Sequence, residues 1–285
     1  MGKIRVLLSM DWEGCDLKEI NLSSIKGFKK KWENPFTHYL NPAYYTNPKT
    51  KHLNITKLIS NTLSPEDEIG LHLHAPKHLL REMNIAVKSS PTFSKHGDYN
   101  SGDEFGQEVM LHGYDQEELD QMISFSTMVL NRKGFKGIES FRAGGWMCDE
   151  KIIGSLSKNK FKYESSATVA SLLNGSSWEG DNLQRYISVI WNDITPESRP
   201  YIIHQNQHNK ILEVPNNLDA IDYWQNNWIE DLVNTSLKNS TKDKNYVCVI
   251  NSHQETFSKH RIKLERYLSA LSEIAEVSFV GNRNL

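Results

Sequence analysis

The sequence predicts an α/β protein whose strands form a parallel sheet or barrel within a single domain. Segments patterned like strands alternate with segments patterned like helices for most of the length, which favours this class. No internal repeat or linker divides the chain, and its 285 residues are within the size of one α/β barrel. We therefore expect one continuous fold.

The first half begins with a short apolar run over residues 4–10, which is typical of a strand buried on both faces. Residues 14–55 then lose periodicity and are rich in Asn, Pro, Lys and aromatic residues. We expect an insertion without regular structure there, either a functional loop or lid or a surface excursion. A helix over residues 55–62 and a strand over residues 68–74 follow. Residues 89–113, rich in Gly, Asp and Ser, are expected to form a second irregular insertion.

Capping residues mark the next two helices along the chain. Asp115 is positioned to cap a helix that continues to Arg132, and Asp149 to cap one that continues to Lys158. The first of these helices carries an apolar stripe. Strands are predicted over residues 138–142, 211–214, 246–251 and 277–280, and an amphipathic helix over residues 260–275.

Composition and charge exclude several classes of protein. Lys plus Arg number 33 and Asp plus Glu 35, so the net charge of −2 leaves no basic surplus for a dedicated nucleic-acid binder. A mean hydropathy of −0.57, without an apolar run of about 18 residues, argues against a membrane span. The scattered cysteines Cys15, Cys148 and Cys248, with an N-terminus unlike a secretion signal, predict reduced thiols in a cytoplasmic protein.

Two pairs of potential metal ligands, each spaced i, i+2, lie at predicted strand ends. Asp11 and Glu13 follow the first strand, and His72 and His74 end the strand over residues 68–74. Alternate residues of a strand point to the same face, so each pair can converge. Two imidazoles and one carboxylate are typical of catalytic zinc, and parallel α/β folds build active sites at the carboxyl ends of strands. Either pair alone is more often structural, but the two together predict a metal site.

Two later segments add candidates. Arg142 ends a predicted strand, and Gly144 and Gly145 behind it permit a tight turn and a close approach of the backbone to a ligand. His253 follows another apolar strand, where a neutral imidazole can act as a general acid or base. The alternatives are a surface arginine in an ordinary loop and a histidine hydrogen-bonded at a strand end.

Other histidines carry weaker signals. His78 is an alternative to one of the strand histidines as a metal ligand. His204 and His208 form an H-x-x-x-H, but their segment has the pattern of a hairpin or loop, so this spacing need not bring them together.

In this order, the motifs resemble those of the polysaccharide deacetylase superfamily, metal-dependent N- and O-deacetylases with a distorted (β/α)-barrel fold. SMDWEG is similar to the family's first motif, EIGLHLH to its histidine motif, FRAGGW to its Arg-Pro-Gly motif and VINSHQE to its final Leu-His motif. YESSAT and ILEVP also resemble family segments. The resemblance covers nearly the whole chain and implies a barrel of about seven parallel strands. It is strongest to a cytoplasmic branch associated with lipopolysaccharide and O-antigen biosynthesis.

The motifs also differ from the family pattern. The two acids of the first motif are separated by one residue instead of being adjacent. The two histidines are two residues apart instead of four, and Pro76 occupies the expected second position. Gly144 replaces the proline of the third motif.

Together, the strand geometry and the resemblance imply a set of roles. Glu13, His72 and His74 would hold one divalent ion, zinc, and Asp11 would take a proton from the attacking water. Arg142 would orient Asp11, and His253 would protonate the departing amine. Substrate contacts are expected from Gly144, Gly145 and Trp146. The aromatic residues within 32–45 would cover the sugar.

The expected function is removal of an acetyl or similar acyl group from an amino sugar or glycan, in surface polysaccharide biosynthesis. The substrate would be a small molecule or an oligosaccharide. One alternative keeps the fold and changes the bond cleaved, as in a deformylase or a cyclic-amide hydrolase. Another is a catalytically silent glycan-binding partner.

Overall fold

Nine strands form one curved, mostly parallel sheet in the computed structural model of this chain, which describes residues 3–93, 101–173, 181–206 and 209–285. Their order across the sheet is β6-β7-β5-β4-β3-β2-β1-β8, and β9 also pairs with β1. Only β6 runs antiparallel to its neighbour among these strands. The predicted α/β class and distorted barrel are confirmed. The strands are β1 (Lys3–Trp12), β2 (Thr37–Leu40), β3 (Glu68–Leu73), β4 (Ser140–Ala143), β5 (Tyr163–Glu164), β6 (Tyr201–Gln205), β7 (Lys210–Glu213), β8 (Val247–Ile250) and β9 (Glu276–Phe279).

An irregular segment after β7 closes the gap between the two ends of the parallel sheet. Asn216 forms a parallel bridge with Thr168, beyond the end of β5, and Ala220 forms one with Asn251, beyond the end of β8. A backbone hydrogen bond from the Leu218 N–H to the Val249 carbonyl, 3.1 Å, continues this seam. Because these bridges lie past the carboxyl ends of the strands, they bring late segments of the chain to the edge where active sites form.

Eight helices pack around this sheet in the described part of the chain. Asp115 caps its helix through a full capping box with Glu118, and the Asp149 side chain accepts from the Ile152 amide, both as predicted. The helices are α1 (Glu19–Trp32), α2 (Ile55–Ser60), α3 (Lys77–Arg81), α4 (Gln116–Arg132), α5 (Glu150–Lys158), α6 (Asp181–Ile190), α7 (Ile229–Lys242) and α8 (Phe257–Ile274). None of them, over the residues described, is both long enough and apolar enough to cross a bilayer.

The prediction of an irregular insertion over residues 14–55 was wrong, because this stretch contains α1 and β2. Helix α1 buries Leu22, Ile25 and Phe28 against the core. Its N-cap, Lys18, makes no side-chain capping bond, so the usual start signal is missing, and Lys and Ser dilute the apolar stripe. Strand β2 has only four residues. By contrast, the described residues of 89–113 contain only short 3₁₀ turns and an isolated bridge, as expected of an irregular insertion.

A buried ionic cluster ties α1 to the first strands. Lys29 in α1 and His38 in β2 both contact the Asp67 carboxylate, which precedes β3, and the Trp12 indole donates to His38 Nδ1 at 3.0 Å. Burial would raise the pKa of Asp67, but its bonds to His38 and Lys29 outweigh burial and hold that pKa below its usual value. The side chains of all three partners are at most 7% exposed, so the cluster is screened little by water.

Replacing Asp67 by Asn should lower the free energy of unfolding by about 3–5 kcal/mol, because it leaves a buried lysine without its counter-charge. Denaturant unfolding at neutral pH would measure the loss, with Asp103→Asn at the exposed Arg81–Asp103 pair as the matched control. The ionised Asp67 stabilises the fold above its usual pKa of 3.8, and this contribution is lost as pH falls. The difference in unfolding free energy between the wild type and Asp67→Asn should therefore become smaller in acid. A larger difference in acid would contradict the role given to Asp67.

Candidate active site

The carboxyl ends of β1 and β3 bring Glu13, His72 and His74 together. His72 Nε2 lies 3.3 Å from Glu13 Oε1, and His74 Nε2 lies 2.7 Å from Glu13 Oε2. One potential ligand atom from each residue falls within 4.8 Å of the others, and the two imidazole centroids are 4.9 Å apart. The i, i+2 spacing on each strand thus directs both histidines and Glu13 to one pocket, as the sequence predicted.

The hydrogen bonds of the two imidazoles test whether this trio fits a metal ion. His72 Nδ1 lies 3.0 Å from the Arg142 carbonyl, and His74 Nδ1 lies 2.6 Å from the Gln107 carbonyl. Such bonds keep a proton on Nδ1 and direct Nε2 into the pocket, as in most metal-binding histidines. Both Nε2 atoms are buried, and apart from the Glu13 carboxylate neither has a hydrogen-bond partner among the described residues. Two buried imidazole nitrogens that face one carboxylate therefore fit a divalent ion of the zinc type.

The charges of the trio reinforce one another. Burial would raise the pKa of Glu13, but His74 and His72 outweigh burial and hold that pKa well below its usual range. Burial would likewise lower the pKa of His74, but Glu13 raises it, so a metal ion that binds at Nε2 has to displace a proton there. The cluster thus keeps Glu13 anionic, which is the state required of a metal ligand.

Asp11 lies in β1 beside this trio and is almost fully buried, with 1% exposure. One carboxylate oxygen accepts from Arg142 Nη1 at 2.8 Å, and the other accepts from Asn251 Nδ2 at 2.7 Å. Two charge-assisted bonds fix its orientation. Asp11 does not contact the histidine Nε2 atoms in the way Glu13 does, so the two acids have different surroundings in one pocket.

Arg142 is itself fully buried, and its guanidinium donates hydrogen bonds to other buried groups. Its guanidinium also donates to the Ser165 carbonyl and hydroxyl, at 2.7 and 2.8 Å, and to Asn216 Oδ1 at 2.6 Å. It stacks over the Tyr39 ring at 4.3 Å. The alternative of a surface arginine was therefore wrong, because β4 ends inside the barrel instead of at its outer face.

His253 follows β8 and is held by an acid that the sequence did not point to. Its Nδ1 lies 3.1 Å from Asp222, and its Nε2 faces the trio at 3.8 Å from Glu13 Oε1. Burial would lower the pKa of His253, but Asp222 outweighs burial and raises it to about 10. Asp222 carried no sequence signal, since it lies in the irregular segment that closes the barrel.

A cavity of about 420 Å³ joins these groups. Trp146, Tyr223 and Phe93 supply its aromatic wall. The expected aromatic cover from residues 32–45 was wrong: Phe36 and Tyr44 are buried in the core, and no residue of that stretch lines the cavity. The lining residues described are Asp11, Glu13, Cys15, His72, His74, Phe93, Gln107, Glu108, Ala143, Gly145, Trp146, Leu183, Asp222, Tyr223, His253, Glu255, Thr256, Lys259 and His260.

The three residues expected to contact substrate have different positions. Gly145 and Trp146 line the cavity, and the Trp146 ring contacts His253 at a centroid distance of 5.8 Å. Gly144 instead lies behind His74, where an added Cβ would come within 2.4 Å of the imidazole. The glycine at this position therefore makes room for a candidate metal ligand.

The weaker histidine candidates lie apart from the trio. His78 is in α3, where its Nδ1 lies 2.8 Å from the Thr46 hydroxyl, and it does not line the cavity, so the alternative with His78 as a ligand was wrong. His204 is in β6 and lies next to Asn206. His208 is outside the described residues.

Sequence comparison adds no match, since no family model and no curated protein is similar to this chain. Solved structures do match. A candidate polysaccharide deacetylase from Mycobacterium smegmatis superposes with a TM-score of 0.58 at 11% identity, over 99% of this chain and 88% of that one. Puue allantoinase gives 0.60 at 10% identity, over 99% and 89%.

This chain shares their fold. A third match, 4-alpha-glucanotransferase from Thermococcus litoralis, gives a TM-score of 0.55 at 10% identity, over all of this chain and 40% of the other. At such low identity the similarity establishes the fold, and function has to be argued from the site.

Proposed function

We propose that this protein is a metal-dependent hydrolase that removes an acetyl or similar acyl group from an amino sugar or glycan. The observation that carries the proposal is the convergence of Glu13 with the two buried Nε2 atoms of His72 and His74 in one cavity. Asp11 and His253 line the same cavity, so a base and an acid accompany the candidate metal ligands. The motif resemblance and the shared fold with a candidate polysaccharide deacetylase support the choice of reaction.

Glu13, His72 and His74 would hold the ion, and three such protein ligands favour zinc. When bound, zinc supplies Lewis-acid chemistry, namely polarisation of an acyl carbonyl and activation of water near neutral pH. The carbonyl bonds to both Nδ1 atoms keep the two imidazoles oriented for this purpose.

Asp11 acts as the general base that takes a proton from the attacking water. Its two bonds, to Arg142 and Asn251, leave further lone pairs on both oxygens and prevent the carboxylate from rotating away. General base catalysis of this kind contributes roughly 10²–10⁴ in rate.

His253 acts as the general acid that protonates the departing nitrogen. The Asp222 carboxylate accepts a hydrogen bond from His253 Nδ1. His253 Nε2 therefore faces the cavity with a proton to donate. The arrangement of an acid, a histidine and a reacting group is the same orienting device that catalytic triads use.

The size and the lining of the cavity indicate which substrates it can hold. A volume of about 420 Å³ suits a small molecule or one sugar unit of an oligosaccharide. The Trp146 and Tyr223 rings, 5.9 Å apart, offer apolar faces for a pyranose. The finer parts of the proposal, a role in lipopolysaccharide or O-antigen biosynthesis and a cytoplasmic location, are supported by the motif resemblance alone.

Metal analysis of protein purified without chelator, paired with an acetate-release assay, tests the proposal. We expect about one divalent ion per chain, and acetate release from N-acetylated amino sugars that stops on chelation and returns on adding zinc. Formate release from N-formyl sugars, or ring opening of a cyclic amide, would instead support the alternatives on this fold. Saccharide binding without hydrolysis by the metal-loaded protein would identify a silent glycan-binding protein, and a chain without metal would end the hydrolase proposal.

A further inference from the structure

Glu255 is an acid of the cavity that has no role in the proposed reaction. It follows β8 by a few residues and lies against the candidate metal ligand Glu13, whose backbone N–H donates to Glu255 Oε1 at 3.1 Å. The Tyr44 hydroxyl donates to the same oxygen. Two donors from separate parts of the chain therefore fix this carboxyl group from one side.

The second carboxyl oxygen of Glu255, Oε2, has different surroundings. Glu255 Oε2 is buried and has no hydrogen-bond partner among the described residues, although the side chain lines the cavity. The remaining acids of the catalytic group are engaged: Asp11 with Arg142, Glu13 with the histidines and Asp222 with His253. A buried polar atom without a partner costs free energy, so such atoms in a binding cavity are commonly satisfied by a ligand.

We propose that Glu255 is a specificity-determining residue that hydrogen-bonds a hydroxyl group of the substrate beside the scissile acyl group. A hydroxyl both donates and accepts, so it can pair with Oε2 whether the carboxyl group is ionised or protonated. Glu255 neighbours Glu13 along the cavity wall, which puts the recognised group next to the reacting centre. This inference rests on the proposed hydrolase function and narrows its substrates to hydroxylated acyl compounds.

A purely structural role for Glu255 makes a different prediction. If its only task were to anchor Glu13 and Tyr44 through Oε1, its loss would impair the site for every substrate equally. Tyr44→Phe removes one donor to Oε1, and the Tyr44 contact with Gln254, but leaves Oε2 untouched, so it reports a loss of anchoring without a loss of hydroxyl recognition. Substrate-selective loss is therefore the signature of hydroxyl recognition.

The test compares Glu255→Leu, Glu255→Gln and Tyr44→Phe in the zinc-loaded protein with two acetylated probes. N,N′,N″-triacetylchitotriose carries hydroxyls beside its acetamido groups, and 4-nitrophenyl acetate carries none. We expect Glu255→Leu to lower kcat/KM for the saccharide about 5- to 100-fold more than for 4-nitrophenyl acetate, because both probes lose the Oε1 anchor but only the saccharide loses a hydroxyl contact. Glu255→Gln should retain most activity, because its amide can still bond a hydroxyl. Equal losses on both probes, or no loss on either, would overturn the proposal.

A second measurement separates this proposal from the proposed function. If the wild type releases acetate from neither probe, the deacylase assignment fails, and saturation-transfer NMR with triacetylchitotriose then decides the role of Glu255. A saccharide signal that is present in the wild type and absent in Glu255→Leu supports hydroxyl recognition without catalysis. No saccharide signal in the wild type overturns it.

Discussion

Replacing Asp11 by Asn is expected to lower turnover by about two to four orders of magnitude while the protein keeps its metal ion. The amide cannot take a proton from water, and Asp11 is not one of the three groups whose ligand atoms converge. Steady-state kinetics and metal analysis of the same preparation would measure both effects.

This substitution also removes the counter-charge of a fully buried arginine, so its folded state has to be verified. Breaking a buried ion pair costs about 3–5 kcal/mol, and an unfolded fraction would mimic a catalytic loss. A thermal unfolding curve of the variant shows whether it is folded at the assay temperature. Loss of the metal in folded Asp11→Asn would show that Asp11, and not Glu13, is the acidic ligand, and wild-type turnover would locate the active site elsewhere.

Replacing Glu13 by Gln is expected to weaken metal binding. Loss of a residue that only hydrogen-bonds a metal ligand costs roughly 10- to 100-fold in affinity, and loss of a ligand should cost more. An anionic ligand is exchanged for a neutral amide, and the two Nε2 atoms lose the charge that they face at 2.7 and 3.3 Å. Competition with a metal-binding dye would measure the dissociation constant, and activity should fall in parallel.

Glu255→Gln is the matched control for metal binding. It makes the same chemical change in the same cavity, at a side chain that bonds Tyr44 and the Glu13 amide instead of a histidine. We expect its metal content to equal that of the wild type. If Glu13→Gln keeps the ion as tightly as this control does, Glu13 is not a ligand.

Local patterns were sufficient to predict much of the fold. The capped helices α4 and α5 were predicted from Asp115 and Asp149, because capping depends on residues three positions apart. Helix α1 was not predicted because it lacks such a local signal. Lys18 makes no capping bond, so only packing against the core defines this helix. Propensity and periodicity describe a segment by itself, whereas burial depends on what it packs against.

The candidate site divides along the same line. The sequence by itself determined that Asp11 with Glu13, and His72 with His74, would each share a face, because side chains of a strand alternate with a period of two. Only the tertiary structure decided which groups surround them. Arg142 reaches Asp11 across 131 residues and Asn251 across 109, and the Glu13 amide reaches Glu255 across 242.

The same long-range packing set the fate of the other candidates. His78 and the aromatic residues of 32–45 had the chemistry for the site, yet the barrel buries Tyr44 in its core and holds His78 against Thr46. Asp222 lies in no motif, Glu255 lies in VINSHQE without a predicted role, and the packing of the barrel brought both to the cavity. The i, i+2 pairs follow from backbone geometry within one strand, whereas their partners follow from the order in which distant strands join the sheet.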